Sequence, residues 1–188
     1  MDGDTDEQWG EDPGWRVNWR MLLPLQQVQL RYFSRSGADP LIALRAIYLA
    51  FPMYLILFGL VIPFVVPFRS DRETLPWALA LAAIAIIDSV LPRVFERPIP
   101  CDSLAGYYRT RMFLRLAFAN SIAMFGFIFA FITMSGWLYY LGLALAIPGH
   151  LRAAPTRTAL LREQDELTAR GCNRSLLEAL RRSPPKPK

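Results

Sequence analysis

The stretch AIYLAFPMYLILFGLVIPFVVPF, residues 46–68, decides the fold of this 188-residue chain. It lies between Arg45 and Arg69 and contains no charged side chain. About 20 consecutive apolar residues are enough for a helix to cross the hydrocarbon core of a bilayer. The uncharged run is also too long for an ordinary core helix of a soluble protein. This stretch therefore predicts a transmembrane helix.

Three further apolar stretches follow the first. The four stretches span residues 44–68, 75–94, 112–134 and 136–150. The fourth, at about 15 residues, suits either a short untilted span or a re-entrant segment, and the turn before it favours a tight hairpin. We therefore predict an all-α, polytopic membrane protein whose transmembrane domain, residues 44–150, contains four helices.

Positive charge is distributed unevenly among the connections between these stretches. Basic residues are frequent before the first stretch, between the second and third, and after the fourth. The opposite side has only Arg69 and Arg72, which Asp71 and Glu73 offset. Cytoplasmic segments carry the Lys/Arg excess, and short connections give antiparallel neighbours. We therefore predict two helical hairpins in the plasma membrane, crossing it several times, with both termini in the cytoplasm.

The segments outside the spans differ in composition. Residues 1–14 are acidic and have no apolar face, which predicts a disordered tail. Residues 15–43 mix aromatic and leucine side chains with arginines, which predicts an interfacial amphipathic segment leading into the first span; an arm docked on a partner protein is the alternative. Residues 151–182 are expected to form short cytoplasmic helices, and residues 183–188 a disordered tail.

Three local signals define the helices expected after His150. Pro155 suits the first turn of a helix, and Gly171 suits a cap at its C-terminal end. Ser175 and Glu178 have the spacing of a capping box, in which each residue satisfies a free backbone N–H of the first turn.

The first span is expected to act as an uncleaved signal anchor, because no cleavable signal peptide is visible before it.

Polar side chains inside the apolar stretches are the most informative chemically. Asp88 falls in the second span, and Arg115, Asn120 and Ser121 fall in the third. A carboxylate in hydrocarbon is costly and marks a pathway, a partner or a buried pair. Asp88 and Asn120 both lie about 10 Å from the cytoplasmic ends of their spans, at about 1.5 Å per residue. We predict that Asp88 hydrogen-bonds Asn120 or Ser121, with Arg115 as a charge partner nearer the interface.

This intramembrane polar cluster is interpreted as holding helices together, with ion or proton movement and substrate contact as the alternatives. Small residues at helical spacing support a close approach of the second and third spans. Prolines in the first span predict a kinked helix whose neighbours satisfy the exposed backbone. The small residues are Ala78, Ala82, Ala85 and Ser89 in the second span, and Ala119, Ala123, Gly126 and Ala130 in the third.

No metal site, cofactor site or catalytic residue is predicted. Cys101 and Cys172 fall in segments assigned to the cytoplasm, so free thiols are expected. Neither cysteine has the spacing of a metal ligand, and His150 is the single histidine. An enzyme acting on lipids would have to use Cys101, Asp102, Ser103 and His150. No nucleic-acid motif is present, so the expected partners are membrane lipids and another membrane protein or a second copy.

Residues 113–131, FLRLAFANSIAMFGFIFAF, resemble the carboxylate-bearing helix of rotary ATPase proteolipids, the subunit c family. The position of the family's ion-binding Glu or Asp is Asn120 here, and an amide has no titratable proton. The resemblance therefore implies a proteolipid-like helix that has lost its ion carrier. The overall plan is also similar to that of four-span membrane proteins of high-GC bacteria, which implies no activity. The matching positions are Arg115, Ala117, Ala123, Phe125, Gly126 and Ala130.

Two functions remain open from the sequence. The first is a non-enzymatic integral membrane protein that serves as an accessory or assembly subunit of a larger membrane complex. The alternative is a transport component, either a proteolipid-like proton-handling subunit or a small oligomeric channel.

Overall fold

The computed structural model describes residues 40–68, 72–95 and 100–181, and the regular structure in these ranges is entirely helical. The prediction of an all-α protein is therefore confirmed. Single 3₁₀ turns, Arg72–Thr74 and Cys101–Ser103, precede the second and third helices. The α-helices of the described residues are α1 Pro40–Val65, α2 Leu75–Phe95, α3 Leu104–Ile132, α4 Trp137–Ala153, α5 Arg157–Ala169 and α6 Leu176–Arg181.

Several predicted segments lie outside the described residues. These are the acidic tail 1–14, most of the interfacial segment 15–43, and the tail 183–188. Helix α1 begins at Pro40, so the last residues of the predicted interfacial segment belong to this helix.

Within the described ranges, two helices are long and apolar enough to cross a membrane. They are α1, with 26 residues, and the helix formed by α3 with its preceding turn, Cys101–Ile132, with 32 residues. The apolar part of α2, Leu75–Leu91, is shorter. Helix α4 has 17 residues, which corresponds to a length of about 26 Å at 1.5 Å per residue.

The chain divides into two compact units. The first comprises Met1–Ala50, Pro98–Thr110 and Ala154–Lys188, and the second comprises Phe51–Arg97 and Arg111–Ala153. All four of the long helices contribute to the core of the second unit. One cluster of buried side chains contains Leu55 of α1, Leu81 of α2, Ile122 of α3 and Ala146 of α4. A second cluster contains Ile62, Val66, Ala130, Leu138 and Tyr139.

Helices α3 and α4 are in close contact at glycines of both helices. A Cβ atom on Gly126 would lie 2.9 Å from the carbonyl oxygen of Leu138 and 3.0 Å from Cα of Gly142. Farther along, a Cβ on Gly149 would lie 2.8 Å from Cβ of Ala119. The small-residue face of α3 therefore packs against α4. Ala123 of this face also shares a buried cluster with Leu81 and Ala85 of α2.

A four-residue turn, residues 133–136, joins α3 to α4. Helix α3 ends in a Schellman motif, in which Met134 N–H bonds to Phe131 O at 3.3 Å and Ser135 N–H to Ala130 O at 2.9 Å. The residue with left-handed backbone in this motif is Met134, with φ of 49°. Gly136 N–H donates to Pro67 O at 2.9 Å, which connects the turn to the end of α1.

The first unit is organised around the short helices α5 and α6. Thr156 caps α5 by accepting a hydrogen bond from Ala159 N at 3.2 Å, so Pro155 precedes the cap and is not in the first turn as expected. Gly171, with φ of 82°, follows α5 in a second Schellman motif, as its predicted role as a C-terminal cap requires. Ser175 accepts from Glu178 N at 3.3 Å, which is one half of the predicted capping box.

The two cysteines form a disulfide, which corrects the prediction of free thiols. Their Cα atoms are 5.9 Å apart, although 71 positions separate them in the chain. Cys172 is held in place because it is the residue after Gly171 in the Schellman motif, where its N–H bonds to Leu167 O at 3.0 Å. A sequence pattern cannot show this proximity, since it arises from packing between the Cys101–Ser103 turn and the α5–α6 connection.

Adding a single methyl group at Gly126 is expected to destabilise the protein. The Gly126→Ala variant places a Cβ against backbone atoms of α4 that cannot move aside locally, so we expect a loss of about 1–3 kcal/mol. The midpoint of thermal unfolding in detergent measures the loss. Gly106→Ala is the matched control, because a Cβ there meets no atom within 4 Å. Equal stability of the two variants would contradict the close packing of α3 on α4.

Candidate functional site

The predicted polar cluster centres on a contact between α2 and α3. The hydroxyl of Ser121 donates a hydrogen bond to Oδ2 of Asp88, and both side chains are half-buried. The same hydroxyl lies 2.8 Å from the carbonyl oxygen of Phe118. A serine hydroxyl has one proton and therefore donates to one of these acceptors at a time. Of the two partners left open for Asp88, the structure thus brings Ser121 to the carboxylate.

The side chain of Asn120 does not take part in this contact. Its Oδ1 atom is buried and accepts no hydrogen bond from the part of the chain that the structure describes. Successive residues of an α-helix point in directions about 100° apart, so Asn120 and Ser121 present their side chains to different surroundings. The predicted alternative, a hydrogen bond between Asp88 and Asn120, is not present among the described residues.

Arg115 is half-buried and lies six positions before Ser121 on α3. This separation corresponds to about 9 Å along the helix axis. Within the described residues, the polar partner of Asp88 is Ser121 rather than Arg115. The predicted cluster is therefore a pair, Asp88 and Ser121, with Asn120 and Arg115 on the same helix but outside the hydrogen bond.

Two tyrosines that the sequence analysis did not single out form a second polar contact. The hydroxyl of Tyr140 donates to the carbonyl oxygen of Gly59 at 2.7 Å, and that of Tyr139 donates to the carbonyl oxygen of Leu55. Both bonds connect α4 to α1. A Cβ on Gly59 would lie 3.3 Å from a ring carbon of Tyr139, so the absence of a side chain there lets the ring approach.

The bond from Tyr140 has a cause that can be read from the sequence. In an α-helix, the carbonyl of Gly59 would accept from the N–H of residue 63. That residue is Pro63, which lies inside α1 and has no N–H to donate. Tyr140 therefore supplies the missing donor. This agrees with the expectation that neighbouring helices satisfy the backbone that a proline leaves open.

The first unit contains a fully buried arginine. Arg45, at the start of the first apolar stretch, has no exposed surface, and its Nε donates to the carbonyl oxygen of Pro155 at 3.2 Å. Glu163 is also buried in this unit. Arg45 therefore contributes to packing within the first unit rather than to a charged surface.

A groove of about 1160 Å³ opens on the first unit. One side is formed by the Cys101–Ser103 turn and the start of α3, and the other by α5, α6 and their connection. Gln164 organises the second side, because Oε1 accepts from Leu176 N at 2.7 Å and Nε2 donates to Arg174 O at 3.2 Å. The charged side chains that line the groove are Asp102, Asp165, Arg174 and Glu178.

The residues considered for a lipid enzyme belong to different units. Cys101, Asp102 and Ser103 form the 3₁₀ turn of the first unit, whereas His150 belongs to α4 of the second. Among the described residues there is no group of three or more His, Cys, Asp or Glu side chains that could hold a metal ion.

Together, the fold and the polar contacts define an all-helical protein with two helices of membrane-spanning length and with side-chain hydrogen bonds that join its helices. No protein-family model, no curated protein and no solved structure matches the chain.

The hydrogen bond of Tyr140 is expected to depend on Pro63. Tyr140→Phe leaves the Gly59 carbonyl without a donor and should destabilise the protein by about 1–2 kcal/mol. In a Pro63→Ala background, the alanine N–H can donate to the same carbonyl, so the added cost of Tyr140→Phe should fall. Unfolding midpoints of the four proteins of this double-mutant cycle measure the difference. An unchanged cost in the two backgrounds would contradict the role assigned to Tyr140.

The pair Asp88 and Ser121 is expected to couple α2 to α3. Ser121→Ala and Asp88→Leu should each lower stability, and the double variant should lose less than their sum, with a coupling energy of about 0.5–1.5 kcal/mol. Unfolding in detergent micelles is the measurement. Ser89→Ala is a suitable control, because the Ser89 hydroxyl bonds only to Ala85 O of its own helix, at 2.7 Å. Additive losses would show that the pair does not hold these helices together.

Proposed function

We propose that this chain is an integral membrane protein that crosses the plasma membrane with α1 to α4 and keeps both termini in the cytoplasm. The observation that carries the proposal is how much of its apolar surface is exposed. Only 28% of the most apolar window of α1 is buried, and 33% of that of Cys101–Ile132. The core helix of a soluble protein of similar length and composition would be mostly buried.

The exposed side chains are large and lie on several helices of the second unit. Phe64 of α1 is 89% exposed and Ile86 of α2 is 67% exposed. Burying one such side chain is worth about 1.5–3 kcal/mol relative to exposure to water, so a surface of this kind is unfavourable in water and favourable in lipid. Other exposed members are Leu60, Leu79, Val94, Ile128 and Ile132.

Within this membrane protein, we propose a non-enzymatic role as an accessory or assembly subunit of a larger membrane complex. The polar groups of the second unit support this, because they connect helices: Ser121 to Asp88, Tyr140 to Gly59 and Tyr139 to Leu55. Such contacts give a rigid scaffold for packing against another membrane protein or a second copy of the chain. The charge distribution of the sequence supports the cytoplasmic placement of the termini.

The alternative, a transport component, depends on Asp88 and on the resemblance of α3 to proteolipids. The only observation in its favour is an acid at half-burial inside an apolar helix. Its hydrogen bond to Ser121 and the amide at position 120 favour a structural role instead. Labelling of Asp88 by dicyclohexylcarbodiimide would favour transport over the scaffold.

The solvent around α2 is tested by a charge at its exposed face. If lipid surrounds Ile86, Ile86→Arg should cost about 3 kcal/mol near the centre of a span and sharply reduce the protein recovered from the membrane fraction. If water surrounds it, the change should be nearly neutral. Thr158→Arg, at an exposed position of α5, is the control and should have no effect. Equal recovery of both variants would contradict the membrane placement.

The subunit role is tested by purification from the native host in a mild detergent. A tagged full-length chain is expected to co-purify with a defined membrane protein or with a second, differently tagged copy, and the tagged partner should in turn recover this chain. Recovery of a monomer alone, at native expression level and without crosslinking partners, would overturn the subunit role while leaving the membrane placement intact.

A further inference from the structure

The disulfide of the first unit has two cysteines in contrasting surroundings. Cys101 is exposed at the edge of the groove, whereas Cys172 is only 2% exposed. An attacking thiol therefore has better access on the Cys101 side of the bond than on the Cys172 side. This asymmetry assigns the entering and leaving groups of any exchange at this bond.

The residues around Cys172 are held by contacts that do not require the disulfide. The Schellman motif at Gly171 fixes the backbone, and Gln164 bonds both to Leu176 N and to Arg174 O. The leucines of α5 and α6 bury their side chains in the same unit; they are Leu160, Leu167, Leu176, Leu177 and Leu180. Opening the disulfide thus leaves Cys172 in position to close it again.

The proposed orientation gives this bond an unusual environment. The basic segments that contain both cysteines are placed in the cytoplasm, where thiols are kept reduced and where disulfides are typically transient, catalytic or redox-sensing. We propose that Cys101 and Cys172 form a reversible thiol–disulfide site that exchanges at Cys101 with a dithiol oxidoreductase of the cytoplasm. This inference rests on the cytoplasmic placement in the proposed function.

The exchange balances without any further reactant. A thiolate of the reduced oxidoreductase attacks Sγ of Cys101, a mixed disulfide forms, and Cys172 leaves as a thiolate that takes up a proton. The second thiol of the oxidoreductase then attacks the oxidoreductase sulfur that is bonded to Cys101 in the mixed disulfide. Cys101 is released as a thiol. The oxidoreductase ends as a disulfide, and the reverse sequence oxidises this chain.

Opening the bond changes how the two sides of the groove are connected. In the oxidised form the disulfide joins the Cys101–Ser103 turn to the α5–α6 connection. The hydrogen bond from Nη1 of Arg174 to Cys101 O, 3.4 Å long and exposed, also joins these two segments and does not require the disulfide. An exposed hydrogen bond constrains a groove far less than a covalent bond, so the redox state sets its rigidity.

The redox state is measured on the full-length protein in cells by acid quenching and alkylation with a mass-tagged maleimide. We expect reduced protein in growing cells, oxidised protein within minutes of adding diamide, and reduced protein again after its removal. The Cys101→Ala/Cys172→Ala double variant should show no shift. A bond that stays oxidised throughout, or never forms, would overturn the proposal.

The site of attack is measured on the purified single variants with glutathione disulfide as the probe. Cys101 in the Cys172→Ala variant should form its adduct about 10-fold or more faster than Cys172 in the Cys101→Ala variant, because thiol reactivity follows exposure. Equal rates, or a faster reaction at Cys172, would overturn the assignment of Cys101.

A membrane-impermeant maleimide separates failure of this site from failure of the proposed orientation. Applied to intact cells that express the Cys172→Ala variant, it should leave Cys101 unlabelled until the cells are lysed. Labelling from outside would contradict the cytoplasmic placement and with it the reversible site. Protection combined with a permanently oxidised wild-type bond would reject the reversible site alone.

Discussion

The contacts between the helices of the second unit follow from one constraint: a polar group on an apolar helix is costly to leave without a hydrogen-bond partner. In the proposed membrane placement, lipid offers no replacement for water, and each unsatisfied group there costs several kcal/mol. Pro63 creates such a group at the carbonyl of Gly59, and the Tyr140 hydroxyl removes it from across the interface between α1 and α4. The carboxylate of Asp88 on α2 is a more polar group that also needs a partner, and the Ser121 hydroxyl of α3 donates a hydrogen bond to it. The polar groups that would be most unfavourable without a hydrogen bond therefore join the helices in pairs.

Steric fit supplies the remaining specificity. If the helices lie in lipid as proposed, no strong hydrophobic effect acts between them, and close backbone contact is a main source of attraction. Gly126 and Gly142 permit that contact between α3 and α4, with no room for a methyl group on either side. The aromatic rings of the same unit fill the wider spaces, for example Trp77 against Phe129 with ring centroids 5.0 Å apart. Polar pairs and small residues therefore act together in the core of the second unit.

The sequence predicted the parts of the fold that follow from local patterns. Runs of apolar residues identified the helices, Gly171 identified a helix end, and Ser175 identified a helix start, because each depends on a few consecutive residues. The contacts between helices were harder to predict, since the small-residue face of α3 could pack on either neighbour. Gly142 and Gly149 on α4 carried the missing signal. The disulfide was mispredicted because compartment was argued from charge, whereas proximity depends on packing.

The candidate site was predictable to a similar degree. An acid in an apolar helix identified Asp88 at once, and equal depth suggested partners on α3. Choosing between Asn120 and Ser121 required the rotation of α3 about its axis, which a sequence pattern does not fix. Pro63 shows from the sequence that the carbonyl of Gly59 lacks its usual donor. A search for a side chain that could donate to this carbonyl would have identified Tyr140 as a candidate.

In the proposed membrane placement, the short turn at residues 133–136 has a consequence for how α3 and α4 would be inserted. Four residues, with Met134 in a left-handed backbone conformation, leave no slack between α3 and α4. The glycine contact between these helices also joins positions close in sequence, and such local contacts form early because little loop entropy is lost. We therefore expect the translocation machinery to release α3 and α4 together, as a preassembled hairpin, rather than one after the other.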